Sequence, residues 1–313
     1  MGNEKIFDLA IIGTGPAGYA AAIYATRYKM SNIIFGLMPG GLITEAHKVC
    51  NYPGFADITG IELGQKFQQH AQSLGVQEQF KLVDKIKKID QYKFEITTND
   101  GQIYFSKTVI LATGTKRRKL GLENEQQFIG HGVSYCATCD ANFYQEKIIG
   151  VVGGGDAANT ASLLLAKHAS KVYQIYRQNK LRGQVAWADL VIKKANIEVI
   201  FSTNIIKLIG DKCLQAVVLD KPYHNSDTLK LDGLFVEIGS DPDNILDKEL
   251  GVTLNEKGYI IVDSAQLTNV IGVWAAGDIT TASNEFRQVV TACSEGSIAA
   301  DSIYSYLKLN GQL

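Results

Sequence analysis

The chain of 313 residues carries little net charge, few cysteines and no long apolar run, and each shortage removes a class of function. Thirty-one Lys and Arg stand against 32 Asp and Glu, so no basic field exists for a nucleic-acid backbone. The one basic cluster, Lys116-Arg117-Arg118-Lys119, reads as a solvated loop face. No apolar stretch approaches the ~18 residues of a membrane span. The N-terminus, Met1-Gly2-Asn3-Glu4-Lys5, runs straight into the first apolar strand without a cleavage layout, and Ile6 stands where myristoylation wants Ser or Thr. A cytoplasmic protein is expected. Five cysteines are too few and too scattered for a secreted disulfide framework. The odd count suggests one working pair, Cys136 and Cys139, and three small apolar core residues, Cys50, Cys213 and Cys293. Zinc would want two further ligands at metal spacing, and neither His131 nor any other pair supplies them, so no metal is expected.

What the chain does have is glycine in two telling places. Asp8-Leu9-Ala10-Ile11-Ile12 feeds into Gly13-Thr14-Gly15-Pro16-Ala17-Gly18, and residues 17–28 read as the helix that follows. The same layout recurs 140 residues later, where residues 147–152 lead into Gly153-Gly154-Gly155-Asp156-Ala157-Ala158 and a helix over 157–168. Strand, glycine turn and helix in that order place backbone N–H groups at a helix N-terminus against a pyrophosphate. The chain therefore reads as α/β, with two Rossmann-like three-layer dinucleotide-binding domains.

Between the two units, residues 94–98 and 103–105 flank Asn99-Asp100-Gly101 as a hairpin, and 108–112 form an apolar strand that breaks at Gly114. Residues 234–239 play the equivalent part in the second unit. The C-terminal portion, with Val273-Trp274-Ala275-Ala276-Gly277-Asp278 and a helix over 286–307, is too short for a nucleotide site of its own and is assigned back to the first domain. The second domain is thus inserted in the first, with expected boundaries 1–116, 117–243 and 244–313.

A dinucleotide unit of this kind ordinarily places an acidic residue at the end of its second strand, on the adenosine ribose. None stands near Ile34-Phe35-Gly36 in the first unit. In the second, residues 171–176 end at Arg177-Gln178-Asn179-Lys180-Leu181-Arg182. Arg177 and Arg182 suit a 2′-phosphate, which favours NADPH over NADH. Cys136 and Cys139, with two residues between them, allow an exchangeable disulfide, and Asp140 is placed to shuttle a proton to the exchanging thiol or to cap a helix.

Together these strings resemble the low-molecular-weight thioredoxin reductases along nearly the whole chain. The resemblance rests on both fingerprints, Gly40-Gly41-Leu42, Asn51-Tyr52-Pro53-Gly54, Ala112-Thr113-Gly114, Cys136-Ala137-Thr138-Cys139-Asp140, Gly277-Asp278 and Arg287-Gln288. It implies FAD in the first domain. Gly13, Gly15, Pro16, Ala17 and Gly18 would lie at its pyrophosphate, and Gly40, Gly41, Leu42, Ala112, Thr113, Gly114 and Gly277 around it. Asn51 would meet the flavin side, Asp278 the ribityl and phosphate region, and Arg287 and Gln288 the isoalloxazine. NADPH would fall to Gly153, Gly155, Asp156, Ala157, Ala158, Arg177 and Arg182. The resemblance further implies that Cys139 faces the flavin, that Cys136 attacks a thioredoxin disulfide, that the inserted domain rotates on connectors near Gly114 and Gly239, and that the chain is a homodimer.

The family's basic string His-Arg-Arg-x-x-x-Arg reads Tyr176-Arg177-Gln178-Asn179-Lys180-Leu181-Arg182 here. That departure keeps ferredoxin or a deazaflavin open as donor. A peroxiredoxin or glutaredoxin-like partner is compatible with the same strings, and so is a non-enzymatic FAD-binding redox sensor.

Overall fold

The computed structural model describes residues 5–243, 246 and 250–313. Met1–Glu4, which make up most of the N-terminal string without a cleavage layout, lie outside it, as does Asn244, where the last segment of the first domain is expected to begin. In chain order the elements are β1 (Ile6–Ile12), α1 (Pro16–Arg27), β2 (Asn32–Phe35), α2 (Gly60–Ser73), β3 (Gln77–Gln79), β4 (Val83–Asp90), β5 (Lys93–Thr98), β6 (Ile103–Leu111) and β7 (Thr115–Arg117). There follow α3 (Glu125–Phe128), β8 (Val133–Ser134), α4 (Ala137–Asp140), β9 (Ile148–Val152), α5 (Asp156–Leu165), β10 (Lys171–Tyr176), α6 (Val185–Lys193) and β11 (Ile197–Phe201). The last are β12 (Ile205–Gly210), β13 (Leu214–Tyr223), β14 (Ser226–Lys230), β15 (Gly233–Val236), β16 (Ser240–Pro242), β17 (Val273–Ala275) and α7 (Val289–Leu309). By its internal contacts the chain divides into one unit of Met1–Thr44, Val49–Lys116 and Asp241–Leu313, and a second of Glu45–Lys48 and Arg117–Ser240.

The first unit is built on a sheet in the order β3-β2-β1-β6-β5-β4, with β17 also on β6. Strands β3, β2, β1, β6 and β17 run parallel. The core strands are largely apolar because both faces are covered, Asp8, Asn32, Ser106, Lys107 and Thr108 being the polar positions of β1, β2 and β6. On one face Leu9, Ile11, Ile34, Ile110 and Trp274 pack under α1 and α7. On the other, Ala10, Ile12, Ile33, Phe35 and Leu111 meet Ile86, Phe94 and Ile96 of β4 and β5. Full burial of each large side chain contributes roughly 1.5–3 kcal/mol, so the two clusters set the register. Helix α2 starts at a reciprocal cap: Thr59 Oγ1 accepts from Glu62 N–H (3.2 Å) and Glu62 Oε2 from Thr59 N–H (3.1 Å).

The second unit repeats the plan with a parallel sheet in the order β11-β10-β9-β15-β8 and adds an antiparallel sheet β12-β13-β14. Ile149, Val151, Val172 and Phe235 pack with Ala158, Ala161 and Leu165 of α5. Ile175, Leu234 and Val236 meet Leu208, Val217 and Leu219 of the antiparallel sheet. A further two-stranded ribbon pairs β7 with β16.

Two readings of the sequence change. The hairpin return and the apolar strand after it are one continuous β6. Its one edge pairs antiparallel with β5 over Ile103–Ser106 and then parallel with β17 over Val109–Leu111. The final helix begins at Val289, because Gln288 is its N-cap, its N–H donating to Thr291 Oγ1 (3.0 Å).

Candidate functional sites

In the first unit the turn after β1 brings the backbone to a close approach that only glycine permits. Gly13 has φ +121°, and a Cβ there would sit 2.1 Å from the Ala112 carbonyl oxygen. The turn opens α1, whose N-cap Gly15 makes no side-chain cap bond and whose first turn holds no acidic residue. Its free N–H groups suit an anion. They border a cavity of about 740 Å³. Gly13, Gly15, Pro16, Ala17, Gly41, Leu42, Ala112, Thr113, Gly114, Gly277, Asp278, Arg287 and Gln288 all line it.

Three residues of the expected set do not line it. Gly18 packs on Gly13, a Cβ there falling 1.9 Å from the Gly13 carbonyl oxygen. Gly40 donates its N–H to the Thr14 carbonyl (2.8 Å), and Asn51 Nδ2 donates to Gln288 Oε1 (2.9 Å). Where an acidic residue is missing after β2, Gly36 lies against the Thr14 side chain, which would meet a Cβ there at 2.4 Å. Lys81 and Leu82, just before β4, and Val83 and Asp84 at its start also line the cavity. No motif in the sequence marks that stretch.

Asp278 lies at the cavity wall with Arg287 nearby, whose Nε donates to the Asp278 carbonyl (3.2 Å) and whose guanidinium stacks 3.7 Å from the Tyr259 ring centre. Burial pushes the Asp278 carboxyl up to about 6, Arg287 pulling it down and Glu295 adding to the rise. A carboxylate held there in want of donors suits a polyhydroxyl chain such as ribityl. The folded protein thus keeps this proton to a higher pH than the unfolded chain does. The stability this group contributes is full below about 4 and is lost as pH rises through about 6. Asp278→Asn should therefore stabilise the ligand-free protein at pH 8 by ~1–3 kcal/mol and leave it unchanged at pH 4. Melting curves at the two pH values check this, and an equal shift at both would refute it.

In the second unit Gly153 repeats the close approach at φ +139°, a Cβ there falling 2.2 Å from the Glu237 carbonyl oxygen and 2.9 Å from Ala158 Cβ. A pair of buried amides behind it carries no sequence signature: Gln174 Nε2 donates to the Gly153 carbonyl (3.1 Å) and to Asn159 Oδ1 (2.9 Å). Asp156 and Ala157 open α5, but Asp156 Oδ1 accepts from Gln184 N–H (2.7 Å), which ties it to the 183–184 turn. Arg182 N–H donates to the Gly154 carbonyl (2.8 Å), so its side chain starts beside the fingerprint. Arg177 is exposed just past β10. Tyr176 lies under Gly154 and its hydroxyl donates to Gln178 Oε1 (3.0 Å).

Cys136 and Cys139 are joined as a disulfide at α4 of the same unit. Cys136 is half-buried and Cys139 exposed. Cys136 Sγ accepts from Cys139 N–H (3.2 Å), and Cys136 N–H donates to Ser134 Oγ (3.1 Å), so the pair is set on a pinned turn. Asp140 follows half-buried and makes no side-chain cap bond to the 3₁₀ turn Ala141–Tyr144. Its second expected role, as a helix cap, is not realised.

Arg117 departs from the reading of its cluster as a solvated face, while Lys116, Arg118 and Lys119 are exposed as expected. Its guanidinium lies between Glu45 (Nη2 to Oε2 2.7 Å) and the buried Glu237 (Nη1 to Oε2 2.6 Å). Burial pushes Glu237 up to about 7 against the pull of Arg117, and Glu45 adds to the rise. The cysteine reading changes too. Cys50 and Cys213 are exposed and only Cys293 is partly buried, where burial first raises its thiol to about 11. Among the described residues, no helix is long and apolar enough to cross a membrane.

The sequence pattern of the pyridine nucleotide-disulphide oxidoreductases matches residues 7–296. Over 317 residues the chain is 39% identical to a thioredoxin reductase of Peptoclostridium acidaminophilum, covering 98% of this chain and 99% of that protein. Its structure superimposes on that of Lactococcus lactis thioredoxin reductase with a TM-score of 0.91 at 33% identity, covering 97% of this chain and 99% of the other. For the T. acidophilum thioredoxin reductase the TM-score is 0.90 at 36% identity, with the same coverage. A ferredoxin-flavin thioredoxin reductase from Clostridium acetobutylicum is also similar, at TM-score 0.53 and 33% identity over 97% of this chain and 98% of that one.

Proposed function

Because the chain belongs to the pyridine nucleotide-disulphide oxidoreductase family, we propose that it is a flavoprotein thioredoxin reductase. In that reading it carries electrons from NADPH through FAD to the Cys136–Cys139 disulfide and on to thioredoxin. The observation that carries the reading is a disulfide-bonded Cys-x-x-Cys in a unit with its own dinucleotide fingerprint, in a chain whose other unit holds a second fingerprint beside a large cavity.

Bound FAD supplies the two-electron relay between nicotinamide and disulfide. Gly13, Gly15 and the open N-terminus of α1 would hold the pyrophosphate, and Asp278 would accept from the ribityl hydroxyls. The first domain, 1–116 with 244–313, takes FAD, and the inserted 117–243 takes NADPH at Gly153, Gly155 and Ala158, with Arg177 and Arg182 toward the 2′-phosphate. Two electrons and two protons convert the Cys136–Cys139 disulfide to thiols. Cys136, as thiolate, then attacks one sulfur of the partner disulfide and displaces the other, which takes up a proton. Cys139 closes on Cys136, re-forming the starting disulfide and releasing the partner as a dithiol. Asp140 carries the proton between solvent and the exchanging thiol. Phe143, three residues on and 79% exposed, offers an apolar contact for a protein partner.

The direct test is turnover. The purified protein should be yellow with one FAD per chain, bleach on adding NADPH, and reduce insulin through thioredoxin. Protein that cannot be reconstituted with FAD sinks the reading. The chain is taken as cytoplasmic and as a homodimer, and sedimentation of the FAD-loaded protein tests the second. A ferredoxin donor is the second reading, favoured by Gln178 in the basic string and by the likeness to the ferredoxin-flavin enzyme. Against it stand Gly153, Gly155, Ala158, Arg177 and Arg182.

A further inference from the structure

Glu295 is a buried carboxylate, 4% exposed, that none of the steps above uses. It lies in α7 and faces the connection from β17 to that helix. Its Oε2 accepts from Gly277 N–H (2.7 Å) and Thr280 Oγ1 (3.0 Å), and its Oε1 from Ser283 Oγ (2.6 Å). Three neutral donors from one loop therefore converge on one side chain.

That loop carries the flavin-side residues. Gly277 precedes Asp278, and the loop ends at Arg287 and Gln288. Just before them Ser283, Asn284 and Glu285 have φ of +51°, +54° and +57°. Three successive non-glycine residues in the left-handed region do not hold that shape unless the surroundings impose it. The Ser283 hydroxyl bond to Glu295 is one such restraint at the first of the three. The other two donors hold the loop where it leaves β17. An ionised carboxylate only accepts, so it satisfies all three at once, whereas an amide would turn N–H groups toward one of them.

We propose that Glu295 is a positioning residue for the flavin: it fixes the 277–286 connection and, through it, the placement of Asp278, Arg287 and Gln288 at the cavity. The proposal rests on the reading of that cavity as the FAD site.

The test uses apoprotein of the full chain titrated with FAD. Three readouts are taken: the Kd from flavin fluorescence, the visible circular dichroism of the flavin at saturating FAD, and the urea midpoint of the apoprotein. Losing charge-assisted bonds should raise the Kd by about 30-fold or more in Glu295→Ala, and by about 3- to 10-fold in Glu295→Gln and in Ser283→Ala. The visible dichroism should change in all three. Ser283 is exposed, so Ser283→Ala should keep the urea midpoint and decides the matter if Glu295→Ala does not fold. Kd values within twofold of the parent for both Ser283→Ala and Glu295→Gln, with superimposable flavin dichroism, overturn the proposal. Parent apoprotein that takes up no FAD removes the cofactor reading itself, and the proposal with it.

Discussion

Cys136→Ser should abolish reduction of a protein disulfide, lowering thioredoxin-coupled turnover by at least ~10³-fold, because the attacking thiolate is gone. The same variant should still let NADPH bleach the flavin, since hydride uptake precedes the dithiol and does not use it. Cys139→Ser should be equally inactive in turnover, as it leaves no sulfur to resolve the mixed disulfide. It should instead trap the partner covalently on Cys136, visible as a mixed disulfide on a non-reducing gel. Stopped-flow absorbance of the flavin separates the two half-reactions. If either variant keeps more than a few per cent of disulfide reductase activity, the relay drawn through these two sulfurs is wrong.

NADPH should be preferred over NADH, but by a smaller factor in kcat/KM than in relatives that carry the full basic string. Arg177 and Arg182 remain to meet a 2′-phosphate, and each hydrogen bond to a charged group is worth ~1.5–3 kcal/mol, or roughly 10- to 100-fold. Gln178 brings no charge, and the Tyr176 hydroxyl occupies its side-chain oxygen. What it offers a nucleotide is therefore its N–H₂ group, a neutral donor that a ribose hydroxyl can use as well as a phosphate can. Arg177→Ala should raise the KM for NADPH by about 10- to 100-fold with little change for NADH. Gln178→Arg should sharpen the preference. Equal efficiency with the two nucleotides in the parent, or activity only with reduced ferredoxin, would show that these arginines do not read a 2′-phosphate.

Both fingerprint turns were legible because their parts are local. A strand, a glycine turn and a helix are contiguous, so Gly13 to Gly18 and Gly153 to Ala158 announce the backbone geometry that makes them useful. The dithiol is legible for the same reason, its two sulfurs being three residues apart in a chain otherwise poor in cysteine. The boundaries were less legible. The continuity of β6 depends on two different partners along one edge, and the start of α7 depends on a cap that apolar periodicity does not encode.

The sequence by itself determined the fold class, the two fingerprints, the redox pair and the departure at Gln178, since each is a property of residues adjacent in the chain. Only the tertiary structure decided that Arg117 is a member of a partly buried ion-pair group rather than a solvated surface charge, because Glu45 and Glu237 lie 72 and 120 residues from it. It alone exposed Cys50 and Cys213, put Gln174 and Asn159 behind the Gly153 turn, and turned Glu295 toward Gly277, Thr280 and Ser283. In each of the polar cases a group bonds to partners that folding brings to it. Burial makes such partners necessary, and nothing in the neighbouring residues says where they will come from.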